Sequence, residues 1–108
     1  IKVGRQGIVE KVRVKVTNEV GLHARPAARF VSNANEFISD IQVQNATTNS
    51  NWVNAKSILL VLILGVEKDH EIEIVAEGED EAEAVKQIVD QVNPDDETPG
   101  AGLQSERG

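Results

Sequence analysis

A chain of 108 residues, with 40% hydrophobic and 27% charged positions, has room for one globular domain and little more. It holds no cysteine, which removes disulfides, thiolate nucleophiles and cysteine-bound metals. A net charge of −7 makes it a poor partner for nucleic acid, whose phosphates need cations, and its longest apolar run, Ile58 to Leu64, falls short of the roughly 18 residues of a membrane span.

The charge is uneven. Residues 1–29 carry seven Lys/Arg against two acids, a net +5, and residues 30–108 carry four against sixteen, a net −12. The basic first third can face an acidic protein surface, or its charges can simply keep the domain soluble. With two Phe, one Trp and no Tyr, any core must be built from aliphatic side chains. No internal repeat is visible.

In chain order, residues 1–10 are polar, show no period and lack the apolar segment of a secretory leader, so they read as an arm. Lys11 to Val16 alternates strictly, Val12, Val14 and Val16 against Lys11, Arg13 and Lys15, which predicts a half-buried strand. Asn18 to His23 reads as a loop. From Ala24 to about Ala34 the period becomes helical, with Ala27, Phe30, Val31 and Ala34 on one stripe. Pro26 sits near the helix start, where its missing N–H matters little, but it pushes Arg25 away from helical angles and predicts an irregular first turn.

Ile38 to Gln44 is predicted as a second strand, Asn45 to Asn51 as a polar turn and Trp52 to Asn54 as a short third strand, with Trp52 a packing residue. Ser57 to Leu64 is too uniformly apolar to classify by period. Ser57 as N-cap and Gly65 as stop make it a short helix. Glu71 to Ala76 alternates as a fourth strand. Asp80 to Val92 is the strongest helix, opened by a capping-box-like Asp80 and Glu83 and buried along Ala82, Val85, Ile88, Val89 and Val92. Residues 93–108 are polar and acidic, with Pro and Gly, and read as a disordered tail. The order β-α-β-β-α-β-α is satisfied most simply by one mainly antiparallel sheet with the helices on one face.

The chemistry is concentrated in Gly21-Leu22-His23-Ala24-Arg25-Pro26-Ala27-Ala28. His23 falls where a loop enters a helix. Unpaired amides, those of Ala24 and Arg25 here, point out of a helix start, and the dipole there favours negative charge. An imidazole at that point can carry a phosphoryl group while the amides stabilise its oxygens. Arg25 adds a planar, permanently charged fork suited to phosphate, and Gly21 allows a sharp turn before the site. Attack on a phosphoryl donor needs a neutral ring nitrogen with a free lone pair, and an ordinary histidine, with a pKa of about 6.5, is largely neutral near pH 7. The plainer alternative is a surface His-x-Arg pair at a helix cap.

Gly21 to Ala28 resembles the active-site signature of HPr, the histidine-containing phosphocarrier of the phosphoenolpyruvate-dependent sugar phosphotransferase system. Ala55-Lys56-Ser57-Ile58 is similar to the family's regulatory segment, Leu64-Gly65-Val66 to the turn after it, and Ala76 to Glu81 to the start of its last helix. The likeness covers residues 11–92. It implies an α+β, open-faced β-sandwich: a four-stranded antiparallel sheet with three helices on one face. It further implies that His23 accepts phosphate on Nδ1 from phosphorylated enzyme I and passes it to an enzyme IIA, assisted by Arg25, in the cytoplasm of a bacterium and as a monomer.

The same resemblance makes Ser57 the counterpart of a serine modified in some bacteria by an HPr kinase/phosphorylase. A helix cap alone would equally explain a serine there. Ala28, Ile58, Leu59 and Leu62 correspond to the family's docking patch, near the active site, although some of them can be plain core. No cofactor or metal is implied. His70, in an acidic stretch, reads as a solvated side chain, and the nine acids between Glu67 and Glu83 as a solvated face, since they lack the spacing of a calcium loop.

The segment before Ser57 is a few residues longer than is usual for HPr, around Thr47 to Asn51. The arm and tail raise a second expectation, a domain of a longer multiphosphoryl-transfer protein, with a dihydroxyacetone kinase as recipient. A third is a regulatory module controlled through Ser57, against which the presence of both His23 and Arg25 speaks.

Overall fold

The computed structural model describes residues 10–92. The arm and the tail lie outside the described residues, except that Glu10 already opens the first strand. Seven elements follow in order: β1 (Glu10–Lys15), α1 (Ala24–Ala34), β2 (Asp40–Asn45), β3 (Val53–Asn54), α2 (Ile58–Ile63), β4 (Glu71–Glu77) and α3 (Glu81–Val92).

The strands form one sheet in the order β1-β4-β2-β3, with every neighbouring pair antiparallel. The register explains the alternation in the sequence. Val12 of β1 and Val43 of β2 both stand opposite Ile74 of β4, and Ile41 stands opposite Ala76, so one sheet face is a continuous apolar surface. Onto it pack Ala27, Phe30, Val31 and Ala34 of α1, Val61 of α2, and Ala84, Val85, Ile88 and Val92 of α3. The other face is polar. There Lys11 pairs with Glu73, and Arg13 with Glu71 and Glu73, at 2.6–3.6 Å. Such exposed pairs stabilise by about 0–1 kcal/mol, and the charged β1 edge discourages further strand pairing. The HPr-like α+β arrangement is thus present, with three helices on one face of a four-stranded sheet.

Several local expectations need correction. β2 starts at Asp40, and Ile38 is 73% exposed. The amides of Ile38 and Ser39 are turned away from any strand partner and donate to the Asp80 carboxylate, each at 3.0 Å, as does the Ser39 hydroxyl. The Ser39 hydroxyl chiefly, then the two amides, hold Asp80 below the ordinary aspartate range against an opposing desolvation.

Asp80 therefore does not form the expected box with Glu83. Instead Glu81 accepts the Gly78 amide three residues back, while Glu83 accepts from Gln87. The buried stripe of α3 runs through Ala84, not Ala82. The first turn of α1 is regular: it starts at Ala24, and the Ala27 amide closes on the His23 carbonyl at 2.8 Å. Pro26 is tolerated because an amide in that turn has no helical acceptor in any case. Trp52 stands 37% exposed at the entrance to β3, and Phe30 is the aromatic residue of the buried core.

Candidate functional site

His23 is the N-cap of α1, with extended backbone angles (φ −86°, ψ −161°), and its side chain makes no capping bond. The ring is exposed, and so is Arg25 two residues on. Among the described residues neither side chain has a hydrogen-bond or ion-pair partner. The Ala24 and Arg25 amides are the first two of the helix and have no carbonyl a turn earlier to receive them. An exposed imidazole, two unclaimed amides at the positive end of an 11-residue helix, and a guanidinium on the first turn are thus brought together. That set can hold a dianion on the ring and neutralise part of its charge.

The segment before His23 is fixed. The Asn18 side chain accepts the Val20 amide at 3.1 Å and reaches the Val92 carbonyl at the end of α3, and the Asn18 carbonyl accepts the Gly21 amide. Gly21 adopts φ +63°, and a Cβ on it would lie 2.3 Å from the Val66 carbonyl oxygen and 2.7 Å from Glu67 Cα. Backbone lies directly on backbone here, which only glycine allows. Leu22 then donates to the Val66 carbonyl at 3.0 Å and buries its side chain. An exposed imidazole is thus mounted on a tightly held stem.

Ser57 is the N-cap of α2, accepting the Leu60 amide at 3.3 Å. Its neighbour Lys56 is tied to the other end of α1: the Asn35 side chain donates to the Lys56 carbonyl, and Lys56 Nζ donates to the Phe37 carbonyl at 2.7 Å. Since Val66, just past α2, is bonded at the start of α1, the two helices run in opposite senses. Ser57 and His23 accordingly sit at opposite ends of α1, about 16 Å of helix apart.

Between them α2 turns most of its surface outward. Ile58, Leu59 and Leu62 are exposed, Leu59 at 66%, and so is Ala28 on α1. Leu60 and Ile63 are exposed as well, Ile63 at 67%, and the sequence reading did not single them out. Only Val61 of α2 is buried, so one residue in a run of six anchors this helix to the core.

The acids from Glu67 to Glu83 are not a uniform solvated face, because Glu71, Glu73, Asp80 and Glu81 are engaged as described above. His70 is likewise built into the structure. Its Nδ1 lies 3.2 Å from the Glu67 amide and 3.1 Å from the Asn45 side chain. No local pattern announces this, since Asn45 is 25 residues away.

A family model described as the HPr component phosphorylation site of the phosphotransferase system (PTS) matches residues 10–93. The multiphosphoryl transfer protein of Haemophilus influenzae is 44% identical over 73 residues, which is 68% of this chain but 15% of that relative's length. Among solved structures, an HPr from Thermoanaerobacter tengcongensis shares 43% identity at a TM-score of 0.72, over 77% of this chain and 90% of the other. The phosphocarrier protein HPr of Bacillus anthracis shares 37% at 0.74, over 80% and 99%. No helix among the described residues is long and apolar enough to cross a membrane. Over residues 10–93, in sequence and in its α+β fold, this chain belongs to the HPr family.

Proposed function

We propose that the chain is a phosphocarrier whose acceptor is His23. The observation that carries this reading is the exposed, unpartnered imidazole at the entrance of α1, beside the free amides of Ala24 and Arg25. The lone pair of a neutral ring at Nδ1 attacks the phosphorus of phosphorylated enzyme I. The bond from phosphorus to the donor nitrogen breaks as the bond to Nδ1 forms, and the ring proton stays on Nε2. The helix amides and the Arg25 guanidinium receive the phosphoryl oxygens, and transfer to an enzyme IIA is the same step with the roles exchanged. The apolar face around Leu59, with Ala28, Ile58 and Leu62, docks the partners, and the basic Arg25 and Arg29 face their acidic rims. The protein works in the cytoplasm as a monomeric domain.

The test is incubation with phosphoenolpyruvate and enzyme I. The expected product is an acid-labile, base-stable phosphoprotein that His23→Ala abolishes and Ser57→Ala retains. Arg25→Ala slows its formation by about 10- to 100-fold, the loss of one charge-assisted bond of about 1.5–3 kcal/mol. An adduct that forms only with ATP and a kinase would overturn the carrier reading and support control through Ser57 by an HPr kinase/phosphorylase. The resemblance to a multiphosphoryl transfer protein supports a second recipient, another phosphotransfer domain on the same polypeptide or a dihydroxyacetone kinase.

A further inference from the structure

We infer that His70, through Nδ1, is a positioning residue for the phosphoryl-acceptor segment, acting with Asn45 to lock the turn on which Gly21 and Leu22 rest. This rests on the carrier role of His23.

Asn45, the last residue of β2, is fully buried, and its side-chain amide is completely used. Its Oδ1 accepts the amides of Thr47 and Thr48, at 3.1 and 3.4 Å. Its Nδ2 donates to the Leu64 carbonyl at 3.2 Å and lies 3.1 Å from His70 Nδ1. Since Oδ1 faces two donors and Nδ2 faces a carbonyl, the orientation of this amide is fixed, and what reaches His70 is an N–H. The Glu67 amide reaches the same ring nitrogen at 3.2 Å. Two donors meeting at Nδ1 require that it carry no proton, so the ring proton is on Nε2. His70 is therefore an acceptor that gathers β2 and the turn between α2 and β4 onto one atom.

That turn is the seat of the acceptor segment. The Val66 carbonyl takes the Leu22 amide, and Gly21 lies against Val66 and Glu67 with no space for a Cβ. The backbone of the same turn is pinned to the residue that follows β1: Val16 donates to the His70 carbonyl and Asp69 donates to the Val16 carbonyl. The connection runs without a gap from Asn45 to His70 Nδ1, to the Glu67 amide, to Val66 and Glu67, to Gly21 and Leu22, and then to His23. Losing the Nδ1 acceptor frees the Glu67 amide and one N–H of a buried Asn45. An unpaired buried donor is costly enough to move backbone. The backbone free to move is the stretch under Gly21, so the effect falls on the orientation of His23 and its two amides rather than on partner docking, which uses α2 and α1.

The test compares His70→Leu, which removes the acceptor, with His70→Asn, whose Oδ1 can occupy the place of Nδ1. Phosphorylation is followed with phosphoenolpyruvate and enzyme I, and the rate is taken per folded molecule after thermal denaturation has set the folded fraction. His70→Leu should lower the rate at saturating enzyme I by about tenfold, the scale of a sub-ångström misplacement, with KM unchanged. His70→Asn should restore it. Nitrogen-15 NMR of the wild type should show Nδ1 bare and Nε2 protonated, and hydrogen exchange at the Leu22 amide should quicken in His70→Leu alone.

A proton on Nδ1, a His70→Leu rate equal to wild type, or a His70→Asn rate as low as that of His70→Leu would each overturn the inference. If His70→Leu does not fold, the tautomer and the His70→Asn rate still decide it. Wild-type protein that takes no phosphoryl group would refute the carrier role instead, and the tautomer and Leu22 exchange would then judge the clasp alone.

Discussion

Gly21 and Gly65 share a positive φ and differ in what surrounds them, so one substitution made at both sites separates conformational strain from steric exclusion. Their φ values are +63° and +62°. At Gly65 an added Cβ meets nothing nearer than the Ile63 carbonyl oxygen at 4.0 Å. Gly65→Ala therefore costs only the left-handed conformation, about 1–2 kcal/mol, less about 0.4–1 kcal/mol from a less disordered unfolded chain. The net is about 1 kcal/mol.

At Gly21 the same Cβ would lie 2.3 and 2.7 Å from backbone atoms, which cannot rotate aside. Relief requires lifting Gly21 and Leu22 off the Val66–Glu67 turn. That breaks the Leu22–Val66 hydrogen bond, about 1 kcal/mol, and loosens a leucine whose burial contributes about 1.5–3 kcal/mol. Gly21→Ala should thus cost about 3–4 kcal/mol. At about 4–8 °C per kcal/mol for a domain of this size, Tm should fall by about 4–8 °C for Gly65→Ala and about 12–30 °C for Gly21→Ala. Urea denaturation gives the free energies directly. Equal losses at the two sites would refute the steric account and the idea that the acceptor segment rests on that turn.

Further outcomes follow from other contacts. Asp80 lies below the ordinary aspartate value of 3.8 in the folded state, so its contribution to stability is fully present above that pH and is lost as pH falls through the folded value. Asp80→Asn should flatten the acid limb of a plot of urea midpoint against pH, and parallel wild-type and variant curves would contradict it. Ser57→Ala should cost about 0.5–1 kcal/mol through loss of the α2 cap, seen in chemical denaturation, while His23 still takes phosphate at the wild-type rate. Leu59→Ala, at an exposed position, should change stability by less than about 0.5 kcal/mol yet raise KM for enzyme I, and an unchanged KM would remove α2 from the docking face.

What could be read from the chain was what is encoded locally. The Lys/Val alternation of β1 marks both its faces, and Gly21 to Ala28 holds histidine, cation, turn and helix start within eight consecutive residues. What escaped depends on partners distant in sequence. Ile38-Ser39 looks like the start of a strand until Asp80, 42 residues on from Ile38, claims the amides of both. Ala82 and Ala84 fit a helical stripe almost equally well, and only the packing of α3 against its neighbours chooses Ala84. His70 in an acidic stretch gives no sign of its role until β2 brings Asn45 beside it. The outward turn of Leu60 and Ile63 was hidden because a uniformly apolar run has no period to say which side faces the core.

The opposed course of α1 and α2 also governs how two signals would combine on so small a body. With His23 and Ser57 about 16 Å apart along α1, their modifying groups would be separated by about two screening lengths at physiological ionic strength, where that length is about 8 Å. Neither charge would be felt strongly by the other. Any logic linking them must be executed by whichever protein straddles both ends, making the reader, and not the carrier, the place where the two marks are compared.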